Sequence, residues 1–129
     1  MQSEFGKGLA ICLVKFAEHY ERWSRDRVRE EEMAVKTGRT DLFNERHSVE
    51  SFFNAASDHL YEIEVPATWK KKKIARKVRE LQDFALMIGH GFTDRQHSSE
   101  DVDKAYSLCR QIALLLDKEI GLKPDIGTW

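Results

Sequence analysis

Breakers of regular structure are scarce in this chain, and that scarcity decides most of what it can fold into. Proline stands only at positions 66 and 124, and glycine occurs seven times in 129 residues. A sandwich or barrel needs a turn signal about every ten residues, so an all-β reading fails at once. What remains is long stretches with few interruptions, and four of them carry apolar residues at helical spacing.

The first runs from about Ser3 to Lys36, with Phe5, Leu9, Cys12, Phe16, Tyr20 and Trp23 on one stripe. Beyond Trp23 it turns strongly charged and stops at Lys36-Thr37-Gly38. The second runs from about Asp41 to Val65, capped by Thr40 or Asp41 and ended by Pro66, which pushes its predecessor out of helical geometry. Its stripe is Val49, Phe52, Phe53, Ala56, Leu60 and Ile63. The third starts at Thr68 as N-cap and runs to Ile88, striped by Ile74, Val78, Leu81, Ala85 and Ile88, with Gly89 as C-cap. The fourth begins at Ser98 or Ser99 with an acidic first turn. It is striped by Val102, Ala105, Cys109, Ile112 and Leu116, and Gly121 and Pro124 stop it.

Each segment is apolar on one side only and needs neighbours. Short connections favour antiparallel packing of successive helices. The expected fold is therefore all-α, an antiparallel up-down-up-down four-helix bundle over residues 1–121. The tail 122–129 places Ile126 and Trp129 against the bundle or against a partner.

Charge and cysteine content narrow the function classes. With 21 basic and 22 acidic residues the net charge is -1, so no global field draws the chain to nucleic acid or an anionic membrane. Charged residues make up 33 %, which suits solvated helix faces. Cys12 and Cys109 have no metal-site or disulfide-framework spacing and are expected as small core residues in a reducing compartment. Gly8 to Val14, the most apolar stretch, is far short of the roughly 20 residues that span a bilayer. The expected location is cytoplasmic, without a signal peptide and without a membrane partner.

Three clusters bear chemistry. In the bundle, His19 and His59 lie seven residues after the apolar positions Cys12 and Phe52, at nearly equal distance from the Gly38 turn. Both should face inward in one layer. With Glu18, Asp58 and Glu62 they offer the ligand types of zinc or iron, so a divalent metal cofactor and a metal-dependent hydrolase are one reading. The plain alternative is two histidines that complete the core. A second cluster, His47, His90, Asp94 and His97, gathers around the long loop between the last two helices, where solvated histidines are the ordinary outcome. Third, Lys70, Lys71, Lys72 and Lys73 with Arg76 and Arg79 crowd the start of the third helix, the end that already favours anions. They suit anion or nucleic-acid backbone binding, or neutralisation by Glu62, Glu64, Asp117 or Glu119. Trp69 and Trp129 are expected as exposed interface anchors or as covers for the bundle ends.

The sequence holds no Glu-x-x-His, P-loop, GxGxxG, HExxH or GxSxG. Without a catalytic signature, the first reading is a non-catalytic bundle that binds another protein or itself. The charged extension of the first helix past Trp23 would suit a homo-oligomer.

Overall fold

The computed structural model describes residues 2–38, 45–89 and 99–126, with side-chain surroundings for 4–38, 48–87 and 99–126. The described residues form four helices and no strand: α1 (Gln2–Thr37), α2 (Glu45–Tyr61), α3 (Lys72–Gly89) and α4 (Ser99–Ile120). They pack as an antiparallel up-down-up-down four-helix bundle. Each helix lies against the next, α1 also lies against α4, and α2 meets α4 across the short diagonal. No described helix is long and apolar enough to cross a membrane.

The apolar stripes become the core. Val49, Phe52, Phe53, Ala56, Leu60 and Ile63 of the second stripe are all buried, as are Val102, Ala105, Cys109, Ile112 and Leu116 of the fourth. On α1 the buried side is rotated slightly. Leu9, Leu13, Phe16 and Ala17 are buried, whereas Cys12, read above as core, is only half-buried. Cys109 is enclosed, and burial pushes its thiol up to about 12, which leaves it unreactive.

Glycine in the left-handed region closes two helices. Gly38 (φ 70°) follows α1 and donates to the Val35 carbonyl, and Gly121 (φ 79°) follows α4 and donates to that of Asp117. Past Gly121 the tail stays on the bundle as far as it is described. Ile126 is buried, and its carbonyl accepts a 2.9 Å bond from the Tyr106 hydroxyl. Trp129 and the caps Thr40 and Asp41 lie outside the described residues.

The junction of α2 and α3 differs from the sequence expectation at both ends. Helix α2 ends at Tyr61, well before Pro66, and α3 begins at Lys72 instead of near Thr68. Trp69 supplies the reason. It is only 1 % exposed and packs edge-on against Phe5 with ring centroids 4.7 Å apart. A helix started at Thr68 would turn Trp69 about 140° away from Ile74, onto the outer face. The chain instead makes a turn in which the Trp69 amide donates to the Pro66 carbonyl, and the indole enters the core. Of the two expectations for Trp69, its burial removes the exposed anchor and leaves the cover of a bundle end. The earlier end of α2 leaves carbonyls of its last turn without helical partners. The Gln82 amide of α3 caps this end, donating at 2.8 Å to the carbonyl of Leu60 in the last turn and at 2.9 Å to that of Ile63, two residues past the helix.

Truncation at this junction should be costly. Trp69→Ala is expected to destabilise the fold by about 3–5 kcal/mol, read as a lowered midpoint in urea unfolding. An unchanged midpoint would show that the indole is not part of the core.

Candidate functional site

The seam between α1 and α2 is built from interlocking rings. Phe16 meets Phe52 at 5.5 Å, Phe52 meets Trp23 at 5.9 Å, and the Trp23 indole N–H donates to the Ser48 hydroxyl at 2.9 Å. This sets the register of the two helices, and in that register His19 and His59 come together. Their Nε2 atoms lie 3.1 Å apart, with ring centroids at 5.1 Å. Both rings are half-buried at the edge of the seam.

A direct N–H···N bond requires the two imidazoles to differ in tautomer. The Nδ1 of His59 is buried without a partner. A buried N–H without an acceptor is rarer than an under-used acceptor. We therefore assign the His59 proton to Nε2, which donates to the Nε2 of His19, and the His19 proton to Nδ1. Protonating His19 at Nε2 would place two donors face to face. Its pKa is accordingly lowered from 6.5, first by burial, then by His59 and Arg22, with Glu18 opposing.

His19 also lines a solvent-open cleft of about 460 Å³ along α1 and α2, with Arg22, Trp23, Asp26, Arg27, Ser48 and Ser51. The Arg27 guanidinium lies 5.5 Å from the Trp23 ring centroid and pairs with Glu31 at 3.3 Å. The cleft therefore mixes both signs of charge and does not select strongly for either. Sequence reasoning did not assemble this wall. The signal lay in Arg22 and Asp26, three and seven residues after His19 and so on its side of α1.

The remaining sequence candidates fall out differently. Glu18, Asp58 and Glu62 are exposed, and among the described residues no three or more His, Cys, Asp or Glu side chains are placed to hold a metal ion. Of the five candidates only the two histidines meet. His90, Asp94 and His97 lie outside the described residues, as does the side chain of His47. Comparison with known proteins finds no matching family model, no matching curated protein and no matching solved structure. The site must therefore be read from its own chemistry.

On the other flank of α1, the Tyr20 ring stacks on Tyr106 at 4.0 Å and its hydroxyl donates to Asp103 at 2.8 Å. Burial and that carboxylate push Tyr20 up to about 12, so it stays a neutral donor that ties α1 to α4.

His19 makes the fold acid-sensitive in a definite direction. A base whose folded pKa lies below its unfolded value binds protons better when unfolded. Stability is then unaffected well above pH 6.5 and falls as pH drops from 6.5 toward the lower folded value. The stability advantage of the native protein over His19→Gln should shrink between about pH 7.5 and about pH 5, measured by urea unfolding at each pH. A constant difference would show that His19 titrates alike in the folded and the unfolded chain.

Proposed function

We propose that this protein is a non-catalytic helical bundle that works by association with a second copy of itself, through the outer ridge of the distal half of α1. The observation that carries the reading is the length of α1 and what it exposes. Trp23 is level with Ser48 and Tyr20 with Asp103, while α2 begins at Glu45 and α4 at Ser99. As far as they are described, both neighbours therefore start near the level of Arg27. Helix α1 continues to Thr37, about ten residues or roughly 15 Å farther. On this stretch Ala34 is buried on the inner side, while Val28 is 52 %, Met33 56 % and Val35 76 % exposed.

The ridge has order. Glu21, Arg25, Val28, Glu32 and Val35 alternate in steps of four and three, the spacing of a helix–helix seam, and all five are exposed. Two copies related by a two-fold axis between positions 28 and 29 would run antiparallel. Arg25 would then face Glu32, Glu21 would face the exposed Lys36, which lies beside Val35 at the ridge's edge, and the Val28 side chains would flank the axis. A self-complementary surface of this kind is what an isologous dimer requires. Two exposed valines per chain support a reversible dimer, since obligate interfaces are larger and more apolar.

Sedimentation equilibrium tests this. The native protein should dimerise with rising concentration. Arg25→Glu with Lys36→Glu should be monomeric, and so should Glu21→Lys with Glu32→Lys. An equimolar mixture of the two variants should restore the dimer. A native protein that stays monomeric at every concentration, or a mixture that stays monomeric while the native protein dimerises, removes the proposed seam.

A second reading rests on the histidine pair. Two nitrogens bound to one tetrahedral zinc at about 2.0–2.1 Å stand roughly 3.3 Å apart, close to the 3.1 Å between His19 and His59. In this reading the pair supplies half the ligands of a divalent metal that activates water for hydrolysis. Metal analysis of purified protein and of His59→Gln tests it, and it requires a stoichiometric metal that the variant loses.

A further inference from the structure

The non-helical stretch between α2 and α3 walls off a second cleft, of about 400 Å³, against one face of α3. Lys72, Arg76 and Arg79 line it, and the spacing i, i+4, i+7 sets them on a single ridge. Val65, Pro66 and Ala67 form the facing wall, and Ala75 keeps the floor low. The wall is fixed in place. Gln82 holds the carbonyls of Leu60 and Ile63, and the Lys72 ammonium lies 3.0 Å from the Ala67 carbonyl.

No carboxylate lines this cleft. Glu62 and Glu64, the acids just upstream, line a different pocket with Phe5 and Cys12. The first turn of α3 contains no acidic residue. Lys77 finds Glu80 at 3.6 Å, but Arg76 and Arg79 have no ion pair among the described residues. Two guanidiniums and an ammonium thus line one cavity with no counter-charge among the described residues.

We propose that this cleft binds the phosphate group of a small phosphorylated molecule. Guanidinium forks match phosphate oxygens in geometry as well as charge, and the cleft is within the usual size of a small-molecule site. A nucleic-acid strand fits less well. Single-stranded sites stack bases on exposed aromatic rings, and Trp69, the aromatic side chain next to the lysine run, is buried. The site is independent of the α1 ridge.

Titration with inorganic pyrophosphate, followed by calorimetry or amide NMR shifts, tests the assignment. Saturable binding is expected, weakened about tenfold or more by Arg76→Gln or Arg79→Gln, the usual scale for a lost charged hydrogen bond. Lys70→Gln and Lys73→Gln, outside the lining, should bind nearly as the native protein does. Far-UV circular dichroism establishes that all four variants are folded. Absence of saturable binding at low salt overturns the proposal, as does an equal loss from the two outer lysines. Binding confined to an oligonucleotide, with a steep salt dependence, also overturns it, in favour of a diffuse polyanion surface.

Discussion

The register of α1 on α2 is the constraint from which the other features follow. It is set where Phe16, Phe52 and Trp23 interlock and the Trp23 indole reaches Ser48. Aromatic pairs of this kind contribute about 0.5–1.5 kcal/mol each beyond the area they bury, and the indole bond adds about 1 kcal/mol. A slip of one helical turn, about 5.4 Å, would lose all of these and carry His19 away from His59. The same register puts the described start of α2 near Arg27, and α1 runs on beyond it to Thr37. One packing choice thus produces both the imidazole pair and the projecting helix.

A comparable logic joins the core to the basic cleft. Burying Trp69 requires the chain to leave helical geometry between α2 and α3. That departure frees carbonyls, and Gln82 recovers two of them. It also swings the 65–67 segment out beside α3, opposite Lys72, Arg76 and Arg79. Had the two helices met at a tight turn, those cations would lie on an open face in full solvent. The cleft is a by-product of how one indole reaches the interior.

Helix number, direction and most of the core were legible from periodicity, because an apolar stripe states which side of a helix must be covered. The meeting of His19 and His59 was legible for the same reason, since His59 sits seven residues beyond the buried Phe52 and His19 seven beyond Cys12 at the edge of the same seam. Their supposed partners were not. Glu18 and Asp58 adjoin the histidines in sequence, and neighbours on a helix point about 100° apart, so an inward histidine sends its neighbour outward. Trp69 was misread because it was placed on a helix that does not reach it. The same rule of phase explains Cys12: the α1 face rotates toward Leu13 and Ala17, and Cys12 slides to the rim. Where tertiary packing moves a helix end or rotates a face, single-chain patterning has no term for it.

The projecting part of α1 raises a question that the bundle alone does not answer. Inward positions past Trp23 are filled by Arg27 and Glu31, which pair with each other, and by the buried Ala34. Such a pair is worth only about 0.3–0.5 kcal/mol. Fixing the backbone costs roughly 1–2 kcal/mol per residue, so a helix tip needs compensation. Part of it is local, from the Gly38 cap and the Thr37 hydroxyl bonded to the Met33 carbonyl at 2.8 Å. On the outer side, valines stand among charges whose acid-then-base order, Glu21–Arg25 and then Glu32–Lys36, repeats along the ridge. A second copy of that ridge would add apolar burial and matched ion pairs where the local terms are weakest. Self-association therefore gives the extension an energetic role, whereas catalysis at the histidine pair would leave it unexplained.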